Sequence, residues 1–411
     1  MNSQPDTSHC DYYLTVYCDA YGWGGALSFT LALASALDER GHSSLIIGTK
    51  AGAADPPCPA QPDRLNVPLT LPRGLWRLRS WCAAQTLARQ LRRIPPPNIA
   101  SVAISPFWLL AARQAWPEVP AFYKFPCLLA NCQPFTWPNG RPPSFWQRVD
   151  SAGIRRAERQ AFMHADLTIA PTPENRAEIL AFAPHAAARV VSCHYGVRPL
   201  TVTPDLRAAH RGRLALDPDT FLILLAGPCD RNKAFDLAIR VLPQLDPRAQ
   251  LAIVGDGPLR PDLLRLADAL GLAPRIHCPG PQHDIAPWYA AADCVLSTSF
   301  YDTCPNVIRE AMLCGRPVVL PRHDPPHVYA GLAEFVATQG GGRTYDRRRP
   351  ESLVQVLNQL IHARAATAAL GQTAQRVAHE HFRWERFLDL ILARPPRPAP
   401  CHELDAVPAT C

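Results

Sequence analysis

Lysine is rare in this chain of 411 residues. Only three of its 42 basic residues are lysines, namely Lys50, Lys124 and Lys233, and all the others are arginines. Lysine differs from arginine in presenting a compact point charge on a flexible stem. Because nearly every positive charge in this chain is an arginine, Lys233, which follows a predicted strand, is a candidate functional residue. A surface lysine in a loop is the alternative.

Patterns of export, membrane insertion and metal binding are also missing. The first fifteen residues have no basic start followed by an apolar run, so we expect no secretory signal. The longest uncharged stretch, residues 94–112, is broken by four prolines and is too interrupted to span a bilayer. The fourteen cysteines are scattered without metal-ligand spacing, so we expect reduced thiols in a cytoplasmic protein.

Positive charge is concentrated in the first half of the chain. Residues 1–200 hold 19 basic and 13 acidic residues, whereas residues 201–411 hold 23 and 22. A basic face attracts anions such as phosphates, nucleic acid or an acidic membrane leaflet. No pattern of a nucleic-acid-binding module is present, so we expect no nucleic-acid partner.

Strand and helix patterns alternate along the chain. In the second half the buried strand "FLILLAG" (221–227) precedes a helical pattern, and "AQLAIVGDG" (249–257) begins the next pair. The first half opens similarly, with "YYLTVYCD", the glycine-rich "AYGWGGA" and an amphipathic helix. Alternation of this kind is typical of a parallel sheet covered on both faces. We predict an α/β protein with two Rossmann-like, doubly wound domains.

Lys233 is predicted to lie at a ligand-binding edge. Ligands of doubly wound sheets bind beyond the carboxyl ends of the strands, and Lys233 follows the strand 221–227. The helix after it is expected to offer unpaired N–H groups to an anion. A compact ammonium group there suits a diphosphate whose charge grows during reaction, and Arg231 could add a forked contact.

A second candidate site lies in "YDTCPNVIREAMLCGRPVV" (301–319). Asp302 precedes a predicted helix and Glu310 lies within it, eight positions later, among apolar neighbours. A buried carboxylate needs a partner, and the vicinal hydroxyls of a ribose could each donate a hydrogen bond. The alternative is a helix-capping aspartate and a glutamate bonded to a neighbouring loop.

These motifs resemble a known family. Residues 221 to about 380 resemble the donor domain of the retaining group 1 glycosyltransferases (family four), which have the two-domain GT-B fold with a cleft between the domains. The resemblance is carried by three stretches, 252–280, 288–299 and 305–319, the last being "PNVIREAMLCGRPVV". In the first half, "GWGGA", "ERGH" and "HYGV" add a weaker match.

The resemblance implies roles for individual residues. Lys233 would hold the diphosphate of a sugar nucleotide, Glu310 the ribose, and Asp302 would orient the sugar in place of the family's first glutamate. Lys233 and Asp302 are thus the implied catalytic residues. The implied donor-binding residues are Gly24, Gly25, Arg231, Lys233, Thr303, Asn306 and Glu310.

Besides Asp302 in place of glutamate, the sequence departs from the family pattern at two further places. Gly227 is followed by Pro228, where the family usually has arginine, so Arg231 would have to substitute. The N-terminal domain lacks the family's histidine after its fourth strand, and in "FYKFPC" Lys124 is the polar candidate instead.

The function predicted from this resemblance is transfer of a sugar from a nucleoside diphosphate sugar to an acceptor, with retention of anomeric configuration. The acceptor would be a glycan, a lipid-linked molecule or a small molecule. We expect no cofactor and no metal, because "DPD" (217–219) precedes a strand as a polar turn would. The alternatives are a non-catalytic GT-B scaffold or partner protein and a sugar-nucleotide epimerase.

Four segments are predicted: an N-terminal acceptor-side domain (1–200), a donor domain (201–375), a helix returning to the N-terminal domain (376–393) and a loose tail (394–411). The helix pattern at 74–93 carries arginines and two tryptophans, with Trp76, Ala83, Leu87 and Leu91 on one stripe. It is predicted either to contact an anionic membrane peripherally, at the inner membrane, or to pack on the sheet.

Overall fold

A computed structural model describes residues 11–16, 25–49, 64–67, 76–129 and 145–393. Its N-terminal domain is built on a parallel seven-stranded sheet with the strand order β3-β2-β1-β4-β5-β6-β7. The strands are β1 (Tyr12–Val16), β2 (Ser44–Thr49), β3 (Arg64–Val67), β4 (Ala100–Ala103), β5 (Ala121–Lys124), β6 (Leu167–Ala170) and β7 (Val190–Ser192). The described helices of this domain are α1 (Gly25–Asp38), α2 (Trp76–Leu91), α3 (Pro106–Ala115), α4 (Phe145–His164) and α5 (Pro173–Phe182).

The C-terminal domain is built on a parallel six-stranded sheet. The strands of the domain are β8 (Phe221–Ala226), β9 (Ala249–Val254), β10 (Ile276–Gly280), β11 (Cys294–Leu296), β12 (Tyr301–Asp302), β13 (Val318–Pro321), β14 (Tyr329–Ala330) and β15 (Gly342–Tyr345). The sheet order is β10-β9-β8-β11-β13-β15, and β12 pairs separately with β14. In each sheet the strand order reverses beside the domain's first strand, which is the place where doubly wound folds bind ligands.

Helices cover both faces of the second sheet. They are α6 (Pro204–Arg213), α7 (Asp236–Val241), α8 (Arg260–Ala269), α9 (Ala286–Ala291), α10 (Asn306–Leu313), α11 (Ala333–Gln339), α12 (Pro350–His362) and α13 (Arg364–His381). The sequence of β8 is apolar throughout because both faces of this strand are buried. Leu222 and Leu224 belong to one buried cluster while Ile223 and Leu225 belong to another, because successive side chains point to opposite faces of a sheet that is covered on both.

Helix α6 begins shortly after the predicted domain boundary, and it is bonded to the C-terminal domain. Arg207 and Arg211 both pair with Asp293, at 2.6 and 3.2 Å, and also donate to carbonyl groups at the end of α9. These bonds hold the first helix after the linker against the second sheet. The predicted boundary at residues 200 and 201 itself stays a prediction.

The segment 376–393, predicted as one helix, belongs to two helices in the structure. Residues 376–381 still belong to α13, and a separate helix, α14 (Trp384–Leu392), follows a break at Phe382. Phe382 is buried with non-helical backbone angles, which ends α13. Helix α14 packs on α1 of the N-terminal domain, with the rings of Phe387 and Phe29 edge to face at 5.6 Å.

The described part of the helix predicted at 74–93 packs inward. In α2 the side chains of Ala84, Leu87 and Leu91 are buried in the N-terminal core, whereas those of Trp76 and Ala83 lie outside the described residues. Within the ranges that the structure covers, no helix is both long and apolar enough to cross a bilayer. The packing alternative therefore holds for the second half of α2.

Candidate active site

The carboxyl end of β8 is shaped by two glycines. Gly227 ends the strand with a φ of 138°, and Gly255, at the end of the neighbouring β9, has a φ of 146°. A Cβ on Gly255 would lie 1.9 Å from the carbonyl oxygen of Gly227. Only glycine permits this approach, so the two strand ends meet closely and the loop 228–235 leaves the sheet from a fixed point.

Lys233 and Asp302 meet directly at this edge. The Lys233 ammonium donates to Asp302 Oδ2 at 2.6 Å, and each side chain is 19% exposed. The two backbones are also tied together, because the Asn232 side chain bonds both the carbonyl and the amide of Tyr301, at 2.8 and 2.9 Å. The structure thus brings together the two residues that the sequence implied as catalytic.

The amides around Lys233 are already engaged. Helix α7 begins only at Asp236, because Ala234 takes a positive φ of 46° and interrupts the turn. The Lys233 amide donates to Asp230 Oδ1 at 2.8 Å, and the amides of Ala234 and Leu237 donate to carbonyls within the loop. The expectation that this helix start offers a set of unpaired N–H groups is therefore wrong for these three amides. The Lys233 ammonium and the exposed Arg231 guanidinium are the cationic donors of this loop.

One carboxylate oxygen of Glu310 is hydrogen-bonded within the C-terminal domain. Tyr289 donates to Glu310 Oε2 at 2.8 Å, and burial raises the pKa of Glu310 above its ordinary value. Glu310 Oε1 makes no hydrogen bond or ion pair with the residues that the structure describes. Tyr289 thus orients the carboxylate and leaves one oxygen as an acceptor. Sequence reasoning missed Tyr289, whose only signal was a tyrosine in the otherwise apolar helix "PWYAAA".

The side chains of two other implied donor-binding residues, Thr303 and Asn306, are bonded within the protein. The Thr303 hydroxyl donates to the Pro126 carbonyl at 2.5 Å, and the Asn306 amide oxygen accepts from Arg309. Both side chains are therefore already bonded within the protein. Arg231 is exposed beside Lys233 and forms no hydrogen bond or ion pair with the described residues. Gly24 lies outside the described residues, and Gly25 is the first residue of α1.

The two domains touch beside Asp302. The Tyr301 hydroxyl accepts from the Leu128 amide at 3.3 Å and donates to Glu178 at 3.1 Å. The ring of Tyr301 stacks on Tyr329, whose hydroxyl accepts from Asn175 at 2.9 Å. These contacts place the carboxyl ends of the two sheets against each other. Asp302 therefore lies where the domains face.

The "DPD" segment lies at the opposite end of the sheet. Asp217 and Asp219 are in the turn that enters β8, and the Thr220 amide donates to the Asp217 carbonyl at 3.0 Å. Lys233 follows the other end of the same strand. Over the residues described, no cluster of three histidine, cysteine, aspartate or glutamate side chains has metal-binding geometry.

Comparison with known families agrees with the two-domain fold. The glycosyl transferase 4-like domain model matches residues 24–196, and the glycosyl transferases group 1 model matches residues 220–363. The two models thus cover both domains and leave out the linker between them.

Known proteins resemble the chain in sequence and in fold. The D-inositol 3-phosphate glycosyltransferase of Streptosporangium roseum is 31% identical over 237 residues, 54% of this chain and 53% of that protein. That of Thermobifida fusca is 31% identical over 253 residues, or 58% and 56%. The chain thus spans about half the length of the curated relatives it matches.

Solved structures of other proteins cover nearly the whole chain. Sucrose-phosphate synthase of Thermosynechococcus elongatus superposes with a TM-score of 0.74 at 18% identity, over 94% of this chain and 100% of that one. Anabaena Alr3699/HepE, solved with UDP and glucose, superposes with a TM-score of 0.69 at 19% identity and the same coverage. The chain has the two-domain GT-B fold, which confirms the predicted fold class. It belongs to the group 1 glycosyltransferases, as the motifs indicated.

Proposed function

We propose that the protein transfers a sugar from a nucleoside diphosphate sugar to a hydroxyl acceptor, with retention at the anomeric carbon. The observation that carries the proposal is the contact of Lys233 with Asp302 at 2.6 Å, at the edge where the domains face. An ammonium group and a carboxylate placed side by side there suit a substrate with a negatively charged leaving group and a hydroxylated sugar.

In the proposed reaction the bond between the anomeric carbon and the diphosphate oxygen breaks, and the acceptor oxygen bonds to the same face of that carbon. The electron pair of the broken bond stays on the diphosphate, which also takes the acceptor proton. Lys233 neutralises the charge that develops on the diphosphate, and its ammonium has donors beyond the one given to Asp302. Arg231, exposed on the same loop, adds a second cation.

The carboxylates are proposed to hold the donor on either side of the diphosphate. Asp302 accepts from hydroxyl groups of the transferred sugar, and Glu310 Oε1 accepts from the ribose hydroxyls. Tyr289 supports the second role because it fixes the Glu310 carboxylate through the other oxygen, at 2.8 Å. Thr303 and Asn306 would contribute through their backbone at the start of α10, since their side chains are bonded elsewhere.

The similar proteins suggest which substrates to try first. Alr3699/HepE was solved with UDP and glucose, and the relatives from Streptosporangium roseum and Thermobifida fusca are named for D-inositol 3-phosphate. Uridine nucleotides are therefore the first donors, and inositol 3-phosphate is the first acceptor. Guanosine and adenosine sugar nucleotides complete the donor panel.

The test is hydrolysis and transfer from that panel, together with thermal stabilisation by nucleoside diphosphates. We expect stabilisation by one base, slow hydrolysis of its sugar nucleotide and faster release of nucleotide with acceptor. A scaffold protein would show neither stabilisation nor turnover. An epimerase would convert the sugar nucleotide without acceptor, and either result would overturn the proposal.

Peripheral membrane contact stays a prediction for the N-terminal half of α2. The buried Leu87 and Leu91 turn the second half of the helix towards the core, whereas Arg89 and the two arginines that follow the helix, Arg92 and Arg93, are exposed. Sedimentation with anionic liposomes at low salt tests the contact. Binding should weaken as salt rises, and the absence of binding at low salt would exclude it.

A further inference from the structure

Lys124 is a buried cation at the domain interface. It ends β5, at the carboxyl edge of the N-terminal sheet, and is only 5% exposed. Its ammonium lies 4.7 Å from the ring centroids of both Phe29 and Tyr195. No carboxylate of the described residues lies within ion-pair distance of it. The aromatic rings are therefore the partners that the described chain provides.

A second buried cation contacts the same tyrosine. Arg309 of α10 is fully buried, and its guanidinium lies 4.1 Å from the ring centroid of Tyr195. Arg309 donates to the Tyr195 carbonyl at 2.7 Å and to Asn306, whereas its Nε has no hydrogen-bond partner among the described residues. The described residues give Arg309 no carboxylate partner either. One cation from each domain thus meets at Tyr195.

Two buried cations without a counter-ion are unfavourable. Burial of a charged group is costly unless the charge is paired, and the cation–π contacts offset only part of this cost. The effect is visible at Lys124, where burial, with Arg309 nearby, lowers the pKa to about 8. An anion in the cleft would relieve the repulsion and restore the ammonium's ordinary basicity.

Lys124 is also close to the proposed reaction centre. The carbonyl of Pro126, two residues after Lys124, accepts the Thr303 hydroxyl at 2.5 Å, and Thr303 follows Asp302 directly. Asp302 in turn is paired with Lys233, on which the diphosphate was placed. Lys124 and Arg309 therefore form a second cationic point beside the first, with one cation from each domain.

We propose that Lys124, supported by Arg309, binds a second anionic group of the substrate, a carboxylate or phosphate that is separate from the donor diphosphate. The inference rests on the proposed function, and it narrows the substrates to those carrying such a group on the transferred sugar or on the acceptor. Lys124 is then a specificity-determining residue. A single ammonium suits either anion because it contacts a point charge without demanding planar, forked geometry.

The test measures binding of paired probes to the full chain, with and without saturating UDP. Glucuronate is compared with glucose for the sugar source, and inositol 3-phosphate with inositol for the acceptor source. We expect one anionic probe to bind at least ten-fold more tightly than its neutral counterpart. The variant K124M should remove that preference, while K124R should retain part of it.

The matched control is Arg265→Met, which removes an exposed cation of α8 and should keep the full preference. Binding that fails to discriminate within either pair, or a preference that survives in K124M, would overturn the inference. Stabilisation by nucleoside diphosphates reports the proposed function separately. If nucleoside diphosphates stabilise the protein but neither anionic probe is preferred, the inference about Lys124 fails and the proposed function stands. If nucleoside diphosphates do not stabilise the protein, the proposed function fails.

The pH dependence of anion binding separates a binding role of Lys124 from a merely structural one. The groups facing the ammonium are Cys127 on its own loop, Tyr195 after β7, and Cys304 and Arg309 from the C-terminal domain. Because anion binding needs the ammonium form, the preference should weaken as the pH rises through about 8. In K124R it should persist, since guanidinium stays charged. A flat profile in the unmodified protein would contradict the inference, even if K124M fails to fold.

Discussion

Lys233 and Lys124, one from each domain, are held in opposite ways. Lys233 of the C-terminal domain is partly exposed and paired with Asp302 at 2.6 Å, on a loop tied to its neighbour through Asn232. Lys124 of the N-terminal domain is buried between aromatic rings, and the described residues give it no carboxylate partner. One cation is therefore held by polar contacts before any ligand arrives. The other would gain its counter-charge from the proposed anion.

This difference separates two kinds of binding. A paired, partly exposed ammonium can exchange its partner for phosphate oxygens with little change in charge, which suits a group common to all donors. An unpaired, buried ammonium favours only ligands that bring an anion to that point, which suits discrimination between substrates. The C-terminal domain is thus proposed to supply the reaction chemistry and the N-terminal domain the selectivity.

The largest expected effect is at Lys233. Replacement by Ala removes the ammonium that neutralises the leaving diphosphate and leaves Asp302 without its partner, so kcat/KM for transfer should fall by roughly 10²–10³-fold. The control is Lys233→Arg, which keeps the charge and should keep part of the activity. Steady-state kinetics measures both, and unchanged transfer in Lys233→Ala would remove the diphosphate role.

The loop that carries Lys233 should depend on Gly255. The change Gly255→Ala places a Cβ 1.9 Å from the Gly227 carbonyl at a φ of 146°, so we expect a loss of about 3 kcal/mol in unfolding free energy. Gly271→Ala is the matched control, because Gly271 also has a positive φ, 66°, but no atom within 4 Å of its Cβ. Its loss should be about 1 kcal/mol. Chemical denaturation compares the two, and equal losses would show that the close approach is unimportant.

Glu310 should govern nucleotide affinity within the C-terminal domain. Glu310→Gln removes a charged acceptor, so nucleoside diphosphates should bind roughly ten-fold more weakly. Burial raises the pKa of this carboxyl, and the ionised form is the acceptor, so wild-type affinity should fall as the pH is lowered through that raised pKa. Titration calorimetry across acidic pH checks both, and Tyr289→Phe is the control for orientation. Equal affinity in Glu310→Gln would reject the ribose role.

The smallest expected effect is that of metal removal. Asp217 and Asp219 lie at the end of β8 away from Lys233, so a chelator should leave the rate of transfer unchanged. The assay compares rates before and after chelation. A loss of activity that Mn²⁺ or Mg²⁺ restores would contradict the cationic account of diphosphate stabilisation.

Sequence was a good guide wherever the signal was local. The apolar run at 221–227 and the alternation after it predicted β8 and the doubly wound sheet, because strands covered on both faces must be apolar throughout. The rarity of lysine and the position of Asp302 after a predicted strand pointed to two side chains that the structure brings into contact. The start of α7 was misjudged because the positive φ of Ala234 is a feature of the folded loop and has no sequence signal.

The features that the sequence did not predict depend on contacts between segments that are distant along the chain. Thr303 is bonded to Pro126 across the domain interface, and Arg309 reaches the Tyr195 carbonyl from α10. Nothing in the stretch "NVIREAML" shows that its arginine is fully buried against the other domain. Such partners become visible only once the two sheets are placed against each other.

The central claim is tested most directly by a crystal structure with a bound nucleoside diphosphate. The account predicts both phosphates between the domains, with an oxygen within hydrogen-bond distance of Lys233 Nζ and the ribose hydroxyls on Glu310. A nucleotide bound elsewhere, with the Lys233 ammonium still paired only to Asp302, would contradict it.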